Sequence, residues 1–235
     1  RSKNFNLSLK KDASVVTDVD KKIDKIISQQ INKFLPKLNI ISEENDLNHN
    51  IDPGDTFFLI DPIDGTKDFV SENSTGNFTI NIALIENGYP SLGIILAPYY
   101  SELFFSIKGV GAFRNYKKIS SREILNNNPL NLSSKSSLSE TNEKWLKKRG
   151  IKRKELLTSS LKFCKIASGE ADFYVRFGTT MEWDIAAGHA ILLSAGGEVL
   201  NLNGKKIKYG KKFFKNDSFV ALGKKKNFSS FFNNS

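Results

Sequence analysis

The sequence predicts a chain of mixed α+β and α/β class, in which an antiparallel first half is followed by an alternating second half. In the first half, apolar stretches follow one another through short glycine-containing turns, which is typical of an antiparallel sheet. In the second half, helical patterns alternate with short apolar strands. A polar segment rich in Asn and Ser, residues 120–139, separates the two patterns. We therefore expect two subdomains, residues 1–128 and residues 129–235.

The first half begins with a helix and continues with strands. Apolar residues recur at helical spacing over residues 17–35, and Thr17 followed by Asp20 predicts a capping box at the start. Asn87-Gly88 is a strong hairpin signal between two long apolar stretches. The other predicted segments are a strand at residues 38–42, a polar loop at 44–55, and strands at 57–61, 78–86, 91–97, 103–107 and 112–114.

The second half follows the polar segment, which we interpret as the junction between the subdomains. Small residues line one side of its last predicted helix, which favours close packing. The predicted elements are, in order, a helix at residues 140–149, a short strand near Leu156, a helix at 160–169, a strand at 172–175, a helix at 184–194, and strands at 198–200 and 219–222.

Length and composition exclude several classes of protein. A chain of 235 residues with 39% hydrophobic residues can form a full core, which excludes a disordered protein. The single cysteine, Cys164, excludes a disulfide framework and a cysteine-rich zinc site, and we expect it to be a small core residue. The apolar runs are too short to span a bilayer. No signal-peptide pattern opens the chain, so we expect a cytoplasmic protein.

The net charge of +10 raises the question of a polyanionic partner. Lysine far outnumbers arginine, and asparagine is abundant, which indicates a biased composition more than selection for phosphate contacts. The lysine clusters at residues 205–212 and 224–226 lack the interleaved aromatic residues of a base-stacking surface. We interpret both clusters as solvated faces and expect no nucleic-acid partner, although the positive field can attract a small anionic substrate.

Two carboxylates three residues apart, Asp61 and Asp64, form the most informative motif. They follow an apolar strand, and their oxygens are ligands that Mg²⁺ prefers. Gly65 lets the backbone approach a phosphate closely, and the Gly65 and Thr66 amides could bind its oxygens. The alternative is that Asp-Pro-Ile-Asp-Gly forms an ordinary surface turn.

Three further carboxylates extend this interpretation, and each has a simpler alternative. Glu43 ends a predicted strand and could share a metal ion, or could be merely exposed there. Asp20 lies beside the first helix, where the capping box alone accounts for it. Asp184 stands at the start of a helix, where an N-cap role is the alternative. Each motif is weak alone, and the four together are specific.

Taken together, these motifs resemble those of the inositol monophosphatase superfamily, and most closely its bacterial CysQ-type 3′(2′),5′-bisphosphate nucleotidases. The resemblance extends in order from about Lys11 to about Leu222, and it implies a layered αβαβα sandwich. We expect this chain to lack the N-terminal helix that the family has before Lys11. The matching motifs are Val16-Thr17-x-x-Asp20, Ser42-Glu43-Glu44, Asp61-Pro-Ile-Asp-Gly-Thr66 and Trp183-Asp184-x-Ala-Ala-Gly188.

The resemblance implies a role for each of these positions, with most metal ligands in the first subdomain. Glu43, Asp61 and the Ile63 carbonyl would hold one Mg²⁺, and Asp61, Asp64 and Asp184 a second; the family also implies a third, weaker ion and inhibition by Li⁺. Metal ions in such sites lower the pKa of the attacking water and stabilise the leaving alkoxide. Asp20 and Thr66 would form the hydroxyl–carboxylate pair that orients this water.

The segments around Ser159, Lys162 and Arg176 resemble the nucleotide-binding segments of the CysQ-like group. These three side chains would contact the adenosine or its second phosphate, and the alternative for Lys162 and Arg176 is solvation at the surface. Lys67-Asp68-Phe69 also resembles the nucleotidase form. Phe177 stands where inositol-specific members carry an acidic residue, and an aromatic side chain suits a base better than a polyol. Lys135 replaces an Arg or His of the relatives, and Glu182 has no assigned role.

The resemblance therefore implies a Mg²⁺-dependent phosphatase that removes the 3′-phosphate of adenosine 3′,5′-bisphosphate to give AMP, and that also accepts 3′-phosphoadenylyl sulfate, in support of sulfur assimilation. One alternative is an inositol monophosphatase or sugar bisphosphatase of the same fold. Others are a non-enzymatic nucleic-acid binder and an inactive relative. Nothing in the sequence distinguishes a monomer from a homodimer.

Overall fold

A seven-stranded sheet forms the first half of the computed structural model, which describes residues 7–9, 15–124, 128–134 and 140–224. The strand order is β3-β4-β5-β6-β7-β8-β9; β3 and β4 are parallel, and all other neighbours are antiparallel. The Asn87-Gly88 turn joins β5 to β6, as predicted. The strands are β3 (Asn39–Ser42), β4 (Thr56–Asp64), β5 (Thr79–Glu86), β6 (Tyr89–Ala97), β7 (Glu102–Ile107), β8 (Gly111–Arg114) and β9 (Lys117–Ile119).

Helix α1 (Asp18–Phe34) packs on one face of this sheet. Its half-buried Ile27 and Ile31 contact an apolar cluster on the sheet that includes Phe58 and Ile60. The predicted capping box is confirmed: Asp20 N donates to Thr17 Oγ1, and Thr17 N donates to Asp20 Oδ2. A short hairpin of β1 (Leu7–Leu9) and β2 (Val15–Thr17) precedes the helix.

Strand β4 is longer than the sequence predicted. We expected it to end at Asp61 before a turn, yet it continues to Asp64, with a register shift against β5 between these two residues. Pro62 lies within this irregular segment, where a missing ladder hydrogen bond costs little. The surface-turn alternative is therefore wrong, since Asp61 is buried in the sheet. The short helix α2 (Thr66–Val70) follows Gly65 directly.

The second half contains a five-stranded sheet of order β11-β10-β12-β16-β14. Only the pairs made by β10 are parallel, so this sheet is mixed. Strand β10 lies inside the segment that we interpreted as a junction, and this part of the prediction was wrong. The strands are β10 (Leu130–Ser133), β11 (Arg153–Leu156), β12 (Phe173–Arg176), β14 (Glu198–Asn201) and β16 (Phe219–Leu222), and a separate pair is formed by β13 (Thr180–Met181) and β15 (Lys215–Asn216).

Helices α3 (Glu140–Lys148), α4 (Leu161–Ala167) and α5 (Glu182–Ser194) complete this half. Helix α5 packs against β4 to β8 of the first sheet, against β14 of the second, and against α4, so the largest core cluster draws on both halves. Its small residues allow the close approach that the sequence predicted: a Cβ added at Gly93 of β6 would lie 2.4 Å from the Ala187 carbonyl oxygen. Within the described ranges, no helix is long and apolar enough to cross a membrane.

Candidate active site

Four carboxylates from three separate segments meet at one end of α5. Asp61 and Asp64 lie on β4, Glu43 follows β3 directly, and Asp184 lies in the first turn of α5. Burial raises the pKa of Asp61 well above its usual range, and the charges of Glu43, Asp64 and Asp184 raise it further. The pKa of Asp184 is also raised well above its usual range, by burial and then by the charges of Asp64 and Glu43. The structure thus brings together the four predicted metal-binding side chains.

The donor set of this acidic cluster fits a hard divalent cation. Asp61 Oδ1 is a buried carboxylate oxygen without a hydrogen-bond partner, and such an atom calls for a cation. Among the described residues, no group of three or more acidic, histidine or cysteine side chains is already arranged to hold a metal ion by itself. Mg²⁺ commonly keeps several waters and uses one or two carboxylates, so a complete protein cage is not required.

Asn81 and Ser160 tie the acidic cluster together, and the sequence analysis missed both. Asn81 Nδ2 donates to Asp64 Oδ2 over 3.3 Å and to Ser160 Oγ over 3.0 Å. Ser160 Oγ in turn donates to the Asp184 carbonyl over 2.8 Å. These bonds join β4, β5, the start of α4 and α5 across long sequence separations, and no local pattern indicates them.

Asp184 is not the N-cap that the alternative interpretation placed at this helix end. The N-cap is Met181, and Asp184 is the third residue of α5, from which Oδ2 accepts a 2.8 Å hydrogen bond from Met181 N. A carboxylate in the first helical turn interacts favourably with the helix dipole. The Asp184 side chain is therefore oriented by its own helix start.

Asp20 and Thr66, the expected water-orienting pair, each have another hydrogen-bond partner. Thr17 Oγ1 lies 2.5 Å from Asp20 Oδ2. Burial raises the pKa of Asp20, and the Glu43 charge adds to this rise, while the hydrogen bonds from Thr17 oppose it without cancelling it. Thr66 Oγ1 donates to the Ile63 carbonyl over 2.9 Å. The two side chains lie on neighbouring elements, because α2 contacts β2 and β2 leads directly into α1. A direct contact between Asp20 and Thr66 stays a prediction.

Gly65 connects the end of β4 to the start of α2. Its φ of +92° lies in the left-handed region, and an added Cβ would lie 3.1 Å from the Asn77 carbonyl oxygen. The position therefore excludes larger side chains. This geometry keeps the backbone beside Asp64 accessible, as the phosphate-binding interpretation of Gly65 and Thr66 requires.

Lys162 is buried beside the acidic cluster, so the surface-solvation alternative is wrong for this residue. Its Nζ donates to the Ser159 carbonyl over 2.5 Å and lies 5.0 Å from the centre of the Tyr174 ring. Burial lowers the pKa of Lys162 to about 8, and the negative charges of Asp64 and Asp184 oppose that shift. Ser159 itself has a left-handed φ of 55°, and the Lys162 bond supports that conformation.

Arg176 at the end of β12 is half-buried and close enough to the acidic cluster to lower the pKa of Asp184. Its Nη1 donates to Ser134 Oγ over 3.5 Å, while its buried Nε has no hydrogen-bond partner. An unpaired guanidinium N–H next to a cluster of carboxylates is suited to an anionic ligand. Lys135, at the position where we noted a departure from the relatives, lies outside the described residues.

Cys164 and Glu182 from the sequence analysis, and His189 on α5, occupy defined places. Cys164 is a fully buried core residue, as predicted. His189 is buried, and its Nδ1 lies 2.8 Å from the Tyr209 hydroxyl. Glu182 is buried as well; its carboxylate accepts hydrogen bonds from the backbone amides of Gly210 and Lys211 and from Lys211 Nζ. Glu182 thus fixes a loop of the second half to the start of α5.

Comparison with known proteins places this geometry in a family. The family model described as "Inositol monophosphatase family" matches residues 1–231. The chain is 40% identical over 212 residues to the 3′(2′),5′-bisphosphate nucleotidase CysQ of Buchnera aphidicola, covering 88% of this chain and 78% of that protein. It is 34% identical over 193 residues to the fructose-1,6-bisphosphatase/inositol-1-monophosphatase of Thermotoga maritima, covering 81% and 73%.

A solved structure of a family member also superposes on this chain. The crystal structure of CysQ from Bacteroides thetaiotaomicron is 32% identical and superposes with a TM-score of 0.74, covering 86% of this chain and 84% of that chain. Its description calls that protein a bacterial member of the inositol monophosphatase family. The match of the family model, the identities and the superposition agree with the motifs from which the site was predicted. This chain belongs to the inositol monophosphatase family.

Proposed function

We propose that this protein is a Mg²⁺-dependent phosphatase that hydrolyses the 3′-phosphate of adenosine 3′,5′-bisphosphate to give AMP and inorganic phosphate. The observation that carries the proposal is the cluster of four carboxylates around the buried Asp61, flanked by Lys162 and Arg176. The similarity to CysQ nucleotidases supports this choice of ester. 3′-Phosphoadenylyl sulfate, which carries the same 3′-phosphate, is the second proposed substrate.

The acidic cluster is the proposed metal site. Glu43, Asp61 and the Ile63 carbonyl would hold one Mg²⁺, and Asp61, Asp64 and Asp184 would hold a second. A weaker third ion and inhibition by Li⁺ are also part of the proposal. When bound, Mg²⁺ supplies positive charge that activates water and neutralises charge developing on the phosphoryl group. Asp61 suits the shared position, because it is the carboxylate whose pKa is raised by all three of its neighbours.

The remaining groups of the chain position the reactants. Asp20 and Thr66 orient the attacking water through hydrogen bonds, and the Gly65 and Thr66 amides hold phosphate oxygens at the start of α2. The Thr66 hydroxyl already lies 2.9 Å from the Ile63 carbonyl oxygen. If this hydroxyl turns toward the water, it loses the hydrogen bond to the Ile63 carbonyl and gains one with the water, so the net cost in free energy is small.

Ser159, Lys162 and Arg176 are the proposed nucleotide contacts. Arg176 is the best candidate for the second phosphate, since its Nε is unpaired and its guanidinium provides a forked donor. Lys162 contributes a buried positive charge, and its Nζ donates to the Ser159 carbonyl and so supports the backbone there.

We expect Arg176→Ala to raise the KM for the nucleotide at least about 10-fold, because the guanidinium that would bind the second phosphate is lost. The same change should leave the KM for inositol 1-phosphate unaltered, and steady-state kinetics with both esters measures the contrast.

The proposed setting is the cytoplasm, where the enzyme acts on a free nucleotide and supports sulfur assimilation by clearing an inhibitory by-product. Neither nucleic acid nor a membrane is a proposed partner. The division into subdomains at residues 128 and 129 also stays a proposal. It assigns most metal ligands to the first part, and Asp184 with the nucleotide contacts to the second.

The test is phosphate release from adenosine 3′,5′-bisphosphate and from inositol 1-phosphate, measured side by side with Mg²⁺ and with EDTA. We expect Mg²⁺-dependent release from the nucleotide and a much slower reaction with inositol phosphate. Asp64→Asn is the matched variant, and it should lose at least about 100-fold in kcat/KM because the metal is held less well. Preference for inositol phosphate or a sugar bisphosphate would retain the metal site and overturn the proposed substrate, and release from neither would overturn the proposed activity.

A further inference from the structure

His49 contacts two segments that are far apart in the chain. It lies in a 3₁₀ helix, Asp46–Asn50, between β3 and β4. Its Nε2 lies 2.7 Å from the Ser42 carbonyl oxygen. Its ring stacks on Trp183, with a centroid distance of 4.7 Å and an interplanar angle of 28°. One imidazole ring therefore joins the end of β3 to the start of α5.

Both contacts are made next to residues of the acidic cluster. Ser42 directly precedes Glu43, and Trp183 directly precedes Asp184. Ser42 and Trp183 are buried, so neither segment can shift without disturbing its neighbours. Each of the two residues that His49 contacts is therefore the immediate neighbour in sequence of a carboxylate of the acidic cluster.

The hydrogen bond to Ser42 determines which nitrogen of the ring carries a proton. A carbonyl oxygen only accepts hydrogen bonds, so Nε2 of His49 must be the donor. The donor holds the backbone carbonyl before Glu43, and Glu43 N itself donates to the Ile60 carbonyl over 3.1 Å. The turn that carries Glu43 is therefore fixed to β4 on one side and to the His49 ring on the other.

We propose that His49 is a positioning residue, which sets the separation of the Glu43 and Asp184 carboxylates by bonding to Ser42 and stacking on Trp183. This inference rests on the proposed function, because it takes Glu43 and Asp184 as metal ligands. His49 touches neither the metal nor the substrate. It acts through the backbone of one carboxylate and the preceding side chain of the other.

The test separates the two contacts by substitution. His49→Phe keeps an aromatic ring for Trp183 and removes the donor, whereas His49→Gln keeps an N–H donor and removes the ring. Leu47→Ala, on the same 3₁₀ helix, is the matched control, because the Leu47 side chain is 85% exposed. Mg²⁺ affinity is measured by titration calorimetry, and kcat and KM for adenosine 3′,5′-bisphosphate are measured at saturating Mg²⁺.

We expect both His49 variants to bind Mg²⁺ at least about 10-fold more weakly, as is typical when a group that orients a metal ligand is lost. The KM for the nucleotide at saturating Mg²⁺ should stay unchanged while kcat falls. A loss of folded protein would also lower the apparent kcat, but in the calorimetric titration it would reduce the number of Mg²⁺ sites and leave the affinity of the remaining sites unchanged. Leu47→Ala should match the wild type in all three quantities. Unaltered Mg²⁺ affinity in both His49 variants would overturn the inference.

Two further outcomes separate this inference from the proposed function. If the wild type binds Mg²⁺ but hydrolyses neither ester, the proposed activity fails, and calorimetry on the variants still decides the role of His49. If the wild type binds no Mg²⁺, both are overturned. Trp183→Leu removes the stacking ring from the other side, so a loss of Mg²⁺ affinity in this variant supports the inference even if a His49 variant fails to fold, and an unaltered affinity counts against it.

Discussion

Asp61 destabilises the metal-free protein and at the same time provides a proposed ligand for a metal ion. Its carboxylate is buried, one of its oxygens has no hydrogen-bond partner, and Glu43, Asp64 and Asp184 surround it with negative charge. An unpaired buried charge destabilises a folded protein, so such a group persists where a ligand compensates for it. Without metal, Asp61 therefore opposes folding.

We predict that Asp61→Asn stabilises the metal-free protein while abolishing most activity. The amide has nearly the same shape and no charge, so the free energy of unfolding in EDTA should rise by about 1–3 kcal/mol. Phosphate release should fall at least about 100-fold, because Asp61 is the proposed ligand of both ions. Urea unfolding in EDTA measures the first effect, and a lower midpoint in the variant would contradict it.

His189 provides a pH-dependent contribution to stability that does not depend on the metal site. Burial, followed by the charge of Lys206, lowers the pKa of His189 to about 3, and its Nδ1 lies 2.8 Å from the Tyr209 hydroxyl. Between this value and the ordinary histidine pKa of about 6.5, the unfolded chain binds a proton that the folded protein does not bind. Stability is therefore retained above about pH 6.5 and lost as the pH falls below it.

The expected loss is about 1.4 kcal/mol between pH 7.5 and 5.5. His189→Gln keeps a polar partner for Tyr209 but cannot be protonated, so its unfolding free energy should lack this part of the pH dependence. Urea unfolding of both proteins at each pH gives the difference, in which the contributions of other groups cancel. Parallel pH profiles for the two proteins would show that His189 is protonated in the folded state.

Sequence reasoning found the acidic residues more readily than their supports. Asp61, Asp64 and Asp184 belong to short motifs in which local spacing carries the chemical signal. Asn81 and Ser160 bond to each other across 79 positions. Their roles arise only when β5 meets α4, and the same holds for His49, whose contacts lie in two different halves.

At the scale of secondary structure, the close packing of α5 on β6 determines where the start of α5, and with it Asp184, lies. A Cβ at Gly93 would lie 2.4 Å from the Ala187 carbonyl oxygen and 2.8 Å from the Ala190 Cβ. Both elements are rigid, so this overlap can be relieved only by moving the helix away from the sheet. Asp184 would move with the first turn of α5.

We predict that Gly93→Ala destabilises the protein by about 1–3 kcal/mol, the usual cost of overpacking. Mg²⁺ affinity should fall as well, because the displaced helix carries one of the carboxylates. Ser194→Ala, at the far end of α5, adds no such contact and serves as the control. Thermal unfolding and titration calorimetry measure the two effects, and wild-type values for Gly93→Ala in both would contradict the packing argument.

The errors in predicted elements have a common cause. Strand β10 was missed because Leu130–Ser133 alternates apolar and polar residues within a polar segment. Its polar Asn131 and Ser133 are buried, and Asn131 Nδ2 donates to Ser133 Oγ over 2.7 Å. Strand β4 was ended too early because Pro62 indicates a turn locally, whereas pairing with β5 carries the strand on to Asp64. In both cases long-range pairing overrides a local signal.

At the scale of the whole molecule, the acidic cluster is a point of repulsion between the two halves. Asp61 and Asp64 come from the seven-stranded sheet, Glu43 directly follows its strand β3, and Asp184 comes from a helix that packs against both sheets. The raised pKa values of Asp61, Asp64 and Asp184 mean that the folded protein holds protons which the unfolded chain releases. Stability in the absence of metal therefore falls as the pH rises above the ordinary aspartate pKa.

Mg²⁺ should remove this repulsion and stabilise the entire fold, since all four carboxylates contribute to one site. At about 100 times its Kd, one bound ion adds about 2.7 kcal/mol, which for a chain of this size corresponds to a rise in Tm of about 5–10 °C. The rise should be larger at pH 8 than at pH 5.5, because protons compete with the metal for the carboxylates. Calorimetric melts with Mg²⁺ and with EDTA at both pH values measure it, with Asp61→Asn as the variant that should show little rise. An equal rise in that variant would mean that Mg²⁺ stabilises the protein from another site.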